Sequence, residues 1–122
     1  MKKKIIVRYK NKKIRIDAED CGCFKKFSGL MFSKREKAEI LLFDFDEKQK
    51  IRIHSFFVFY PFIAVWLDDK NRTVDLKIVN PFTPYASPKK SCFRLIEIPI
   101  NRSTKKYQQF FIKKLHSSSV EI

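Results

Sequence analysis

Hydrophobic residues along this chain come in short runs separated by polar or proline-rich breaks, and the longest, Phe56 to Leu67, is twelve apolar residues interrupted only by the backbone restriction of Pro61. As a helix it would span about 18 Å, short of the roughly 30 Å hydrocarbon core of a bilayer, so no membrane span is expected. Its burial must therefore be in protein. Pro61 lacks an N–H and biases Tyr60 toward extended backbone, so the run predicts two buried strands meeting at a bend. Thr73 to Val79 alternates instead, with Val74, Leu76 and Ile78 on one face and Asp75 and Lys77 on the other. That is the pattern of a half-exposed antiparallel strand.

The same reading extends to the rest of the chain. Lys4 to Tyr9 and Lys12 to Asp17 are β-prone runs around Lys10-Asn11, where Asn tolerates a left-handed conformation, and they predict a hairpin. Asp20 is placed to cap a helix through about Met31, with Phe24, Phe27 and Met31 on one face, although Gly22 and Gly29 weaken it. Glu39 to Phe45 reads as a strand, Asp46 to Lys50 as a charged turn, Ile51 to Val58 and Pro61 to Leu67 as strands, and Asp68 to Arg72 as a polar turn. Pro81, Pro84 and Pro88 make residues 80–90 an irregular crossing before a last strand, Cys92 to Ile98. Tyr107, Phe110, Phe111 and Leu115 recur at helical spacing after Ser103, and Ser117 to Ser119 marks a loose end. About seven strands with one or two short helices predict a mainly β fold: a single compact β-sandwich or barrel-like domain over residues 1–122, with no repeat or linker.

Composition adds an aromatic core and a location. Thirteen Phe, four Tyr and one Trp in 122 residues supply large side chains for a single core. The apolar run Ile5 to Val7 is too short for a secretory leader, which needs about 7–15 apolar residues. Three cysteines cannot all pair within one chain. A cytoplasmic protein with reduced thiols is the expectation.

The net charge of +14 is concentrated near the two ends. Residues 1–15 hold eight Lys and Arg and no acid, residues 102–114 hold five and no acid, and the remainder is nearly balanced. If the ends lie close together they form one basic field able to attract nucleic acid or another polyanion. The candidate residues are Lys2, Lys3, Lys4, Arg8, Lys10, Lys12, Lys13, Arg15, Lys105, Lys106, Lys113 and Lys114, with Tyr9 or Tyr107 as stacking residues. Twenty Lys against seven Arg, with many Ile and Phe and only two Gly, is equally the imprint of a coding bias, and basic surface alone is a weak binding signal.

Three segments carry a resemblance: Gly29-Leu30-Met31-Phe32; Ile53 through Pro61 leading to Trp66-Leu67-Asp68; and Leu95-Ile96-Glu97-Ile98-Pro99. In this order they resemble domain of unknown function 192, an uncharacterised conserved family of archaea and bacteria, over roughly residues 12–101. The resemblance implies a compact β-rich fold with a short early helix and implies no activity. Many bacterial members read Trp-Met-Lys-Asn-Thr before the proline and Pro-Leu-Asp at it. Here Phe56, Phe57 and Ile63 stand where those members have Lys, Asn and Asp, so the chain looks like the archaeal type.

Candidate chemistry is sparse. Cys21-x-Cys23 with Cys92 and His54 or His116 lacks the spacing of a knuckle-type zinc site, and no metal or cofactor is expected. No glycine-rich elbow accompanies a Cys–His pair such as Cys92 with His54, and Asp44 and Asp46 adjoin a Lys-rich turn, as solvated charges do. His54, Arg94 and Glu97 are polar groups in otherwise apolar segments, and Tyr85 sits in the proline-rich crossing. These four mark a candidate cleft for a ligand or protein partner. A non-catalytic binding module is therefore the leading expectation, a nucleic-acid-binding module the second, and an enzyme the third.

Overall fold

The computed structural model describes residues 2–21 and 29–112. Six strands, β1 (Lys2–Tyr9), β2 (Lys12–Asp20), β3 (Leu41–Gln49), β4 (Phe62–Leu67), β5 (Thr73–Val79) and β6 (Cys92–Pro99), form one sheet in the order β1-β2-β3-β6-β4-β5. The sheet curls into a half-barrel, which is the barrel-like alternative of the expected mainly β fold. All neighbours are antiparallel except β2 and β3, which meet in parallel over Glu19–Leu41 and Asp20–Leu42. Lys10 and Asn11 both take positive φ, 48° and 62°, so the β1–β2 hairpin turns in the left-handed geometry expected of its sequence. Curling brings the ends of the two edge strands together. The Arg8 N–H donates to Asn71 O at 3.0 Å, and Thr73 Oγ1 donates to Arg8 O at 2.8 Å.

The central strand β4 is buried on both faces along its whole length, which explains its continuous hydrophobicity. Along β4, Ile63, Val65 and Leu67 join one cluster with Ile96, Ile98, Val7 and Ile16. Phe62, Ala64 and Trp66 face the other side, with Leu41, Phe43 and Leu95. Burying each large apolar side chain contributes roughly 1.5–3 kcal/mol. A helix over residues 105–112, α1, covers the first face with Tyr107, Phe111 and Ile112. Asn101 starts it: its side chain accepts from Ser103 N–H, and Thr104 Oγ1 accepts from Asn101 N–H in return.

Several boundaries differ from expectation. Residues 50–61 are not a strand: they touch residue 86 through one isolated bridge, Ile53–Ala86, and turn at Phe56 and Phe57. Both hydrogen-bonding edges of β3, β4 and β6 are occupied by other strands, so this segment lies over the sheet face instead. Phe56, Phe57 and Phe59 are accordingly exposed, and only part of the apolar run is core. Residues 46–49, expected to turn, continue β3 past an irregularity between Asp44 and Gln49. Ile78 is exposed and Val74 and Leu76 half-buried, because β5 lies at the sheet edge. The helix expected after Asp20 falls on residues 22–28, outside the described residues; Asp20 itself ends β2, and residues 29–32 are turns.

Candidate functional site

The segment that covers the outer face is built around Ser55, which is completely buried. Its Oγ donates to Asn80 O and accepts from Thr83 N–H, and its carbonyl accepts from Phe82 N–H. These bonds clamp residues 51–60 to the proline-rich crossing over β4 and β6. Beneath the clamp lies a cavity of about 110 Å³, walled by Phe43, Ile51, Val58, Phe62 and Leu95. Its polar lining comes from Arg52, His54 and Glu97.

Glu97 projects from the middle of β6 and is 6% exposed. Among the described residues no hydrogen bond or ion pair reaches its carboxylate, and burial alone pushes its pKa up to about 8. A carboxyl in that state is largely protonated at pH 7. Gly29 makes the floor possible: at φ +52° it lies so close that a Cβ would stand 3.2 Å from Glu97 Oε1. Tyr60 is also drawn in. Burial raises its pKa, a hydrogen bond with Ser33 opposes this, and the nearby charge of Glu97 adds to the rise.

His54 is exposed at the rim of the cavity, outside the strands of the sheet. Phe56 N–H donates to its Nδ1 at 3.2 Å, which leaves Nε2 to carry the proton of the neutral ring. Tyr85 is 57% exposed and reaches the rim indirectly, its ring 5.4 Å beneath the Arg52 guanidinium. Arg94 lies on the opposite face of β6. It pairs with Asp44 at 3.3 Å and donates to Asn71 Oδ1 and Asp69 O, tying the β4–β5 turn to β3. The structure thus brings His54 and Glu97 to one cavity, sets Tyr85 beside it, and gives Arg94 a structural position elsewhere.

Gly29 and Arg52 were not among the candidate site residues read from the sequence. Gly29 carried a faint signal, as one of only two glycines in the chain. Nothing in the sequence announced the backbone of Phe32, Phe57 and Phe82: all three adopt positive φ of 56–61° while their rings contact one another at 5.1 and 6.0 Å. Bulky residues hold that conformation only where surrounding structure enforces it.

Of the basic residues, Lys2, Lys3, Lys4, Arg8, Lys10, Lys12, Lys13, Arg15, Lys105 and Lys106 are all exposed. Lys113, Lys114, Cys23 and His116 lie outside the described residues. The expected stacking residues are engaged elsewhere: Tyr107 is 5% exposed, and Tyr9 packs on Phe110 and Phe111 of α1 at 6.3 and 5.7 Å. Cys92 is buried, its thiol pKa raised by burial, and donates to Gln49 O. Among the described residues no three His, Cys, Asp or Glu side chains converge as metal ligands, and no helix is long and apolar enough to cross a membrane.

Comparison with known proteins gives relatives without an assigned activity. A UPF0127 protein of Thermococcus kodakarensis is 32% identical over 77 residues, covering 62% of this chain and 48% of that protein. A UPF0127 protein of Thermococcus gammatolerans is 34% identical over 77 residues, covering 62% and 50%. Its relatives are uncharacterised archaeal proteins. The chain spans about half the length of the curated relatives it matches, and no family model matches it. The fold is shared with two solved structures. A protein of unknown function from Novosphingobium aromaticivorans has a TM-score of 0.68 at 12% identity, covering 86% of this chain and 77% of that one. A Sinorhizobium meliloti protein, described provisionally as a transcription regulator, has a TM-score of 0.67 at 14% identity, covering 84% and 81%. At such identities the likeness concerns fold alone.

Proposed function

We propose that this chain is a non-catalytic ligand-binding domain of the domain-of-unknown-function-192 type, acting in the cytoplasm, whose site is the cavity floored by Glu97. The observation that carries the reading is a carboxyl, 6% exposed and with no hydrogen-bond or ion-pair partner among the described residues, at the base of a largely apolar cavity. Burial of an ionisable group without compensation is costly and concentrates at sites that use it. Binding is favoured over catalysis because, among the described residues, the lining holds no Ser, Thr or Cys nucleophile, and His54 stands at the rim with Nδ1 occupied. A small ammonium-bearing group suits the floor best. Its positive charge would favour the ionised carboxylate, with the Glu97 proton released to solvent, while the apolar walls hold the attached carbons.

Trp66 supplies the readout. It is the only tryptophan, fully buried, and its indole N–H donates at 2.8 Å to the carbonyl of Ile51, a cavity-wall residue. Small alkylammonium ions and neutral amides of the same shape are titrated while Trp66 fluorescence is followed at pH 6 and pH 8.5. Ammonium binding should tighten with pH toward 8 and disappear in Glu97→Gln. Failure of both ligand classes to bind, or unchanged ammonium binding in Glu97→Gln, overturns the assignment.

A further inference from the structure

A second, independent feature lies where the sheet curls shut. The β1–β2 turn and the start of β5 enclose an open groove of about 390 Å³, lined by Arg8, Tyr9, Lys10, Lys12, Lys13 and Arg72, with the polar side chains of Asn11 and Thr73. Among the described residues five cations line it and no acid does. Its two walls are fastened to each other by the bonds of Arg8 N–H to Asn71 O and Thr73 Oγ1 to Arg8 O. The groove is therefore a product of closure. Arg72 comes from the opposite sheet edge, well away in sequence from the basic N-terminal run.

Individual cations in the groove are held in place. Asp68 accepts Arg72 Nε–H at 2.7 Å and, through its other oxygen, Arg72 N–H at 2.8 Å, which fixes the arginine. Among the described residues no acceptor is bonded to the Arg72 Nη atoms. Lys10 Nζ rests 5.3 Å from the centre of the Tyr9 ring, and Tyr9 is itself braced on α1. Lys13 stands opposite Arg8 in the ladder, and Lys12 opposite Tyr9. Arg8 and Lys13 share one face of the hairpin and Lys12 projects to the other, so the hairpin end gathers cations from both faces around the groove.

We propose that this groove binds the phosphodiester backbone of a nucleic-acid strand, without base sequence preference. Five cations around an open groove match a chain of singly charged phosphates better than one isolated anion. Tyr9 has its ring occupied by Lys10 and α1, and Tyr107 is buried, so affinity comes from phosphate contacts rather than stacking. The Lys2-Lys3-Lys4 cluster provides an internal control: it sits at the far end of β1, outside the groove, with Lys2 ion-paired to Glu39 at 3.3 Å.

The test is fluorescence anisotropy of labelled single-stranded and duplex DNA and RNA with the full chain between about 50 and 200 mM salt. Three proteins are compared with the wild type: Lys10, Lys12 and Lys13 all changed to Gln; Lys2, Lys3 and Lys4 all changed to Gln; and Lys10, Lys12 and Lys13 all changed to Arg. The first two lose the same charge. Losing three phosphate contacts should flatten the single-strand salt slope by about 2 and weaken binding about 100-fold near 0.1 M salt. The control triple should stay within about threefold of wild type, and the arginine triple should retain binding, which separates lost contacts from lost folding. Equal losses in both glutamine triples would reduce the effect to net charge and overturn the proposal. So would absence of binding at 50 mM salt, or tighter binding of inorganic polyphosphate than of nucleic acid at equal phosphate concentration.

Discussion

Replacing Glu97 by Gln keeps the side chain's size and shape and removes its titration. The folded carboxyl has its pKa raised by burial to about 8, against 4.5 for the ordinary group. Below pH 4.5 both folded and unfolded chains hold the proton, and Glu97 imposes no penalty. Between 4.5 and 8 the unfolded chain ionises while the folded chain keeps its proton. Stability then falls by about 1.4 kcal/mol per pH unit. At pH 7 the accumulated loss is on the order of 3 kcal/mol, rising to roughly 4–5 kcal/mol above pH 8. Urea unfolding of wild type and Glu97→Gln, followed by Trp66 fluorescence from pH 4.5 to 8.5, isolates this contribution because every other titrating group is common to both. The two should be similar at pH 4.5, with the variant increasingly the more stable as pH rises. A difference that stays flat from pH 5 to 8 would show Glu97 already ionised and compensated in the fold, and the reasoning behind the cavity would fail.

Other substitutions probe the parts around it. Gly29→Ala should lose about 1–2 kcal/mol in chemical denaturation, since Ala is strained at φ +52° and its Cβ would crowd Glu97 Oε1 at 3.2 Å; wild-type stability would remove Gly29 from the cavity floor. Asn101→Ala should destabilise by about 1–3 kcal/mol, because the side chain accepts Ser103 N–H and its Nδ2 donates to Arg35 O at 2.8 Å, both near the start of α1. Circular dichroism at 222 nm should show an earlier thermal transition for that variant. Phe57→Gly should be nearly neutral, within about 1 kcal/mol, since relief of the left-handed conformation at φ 61° offsets loss of the stack on Phe32; a loss above about 2 kcal/mol by urea titration would mean the aromatic contact dominates.

The local pattern of the chain carried what depends on near neighbours. The β1–β2 hairpin follows from two β-prone runs around Lys10-Asn11, because its turn is governed by the conformations those two residues tolerate. The twin-faced burial of β4 follows from its unbroken apolar run, and α1 from the spacing of Tyr107, Phe110 and Phe111. Glu97 stood out as a charge in an apolar strand. What the pattern could not carry was hydrogen-bond partnership. Residues 51–58 have the composition of a strand, but every edge of the central strands is taken by another segment, so they became a clamped cover whose phenylalanines face outward. Arg94 looked as much like a cleft residue as Glu97, and only the alternation of β6 within a two-faced sheet sends the two to opposite sides. Arg72 entered the basic groove because sheet curvature, summed over six strands, returns the β4–β5 turn to the first hairpin. Distance in space between segments far apart in sequence is set by that closure, and no stretch of the chain encodes it alone.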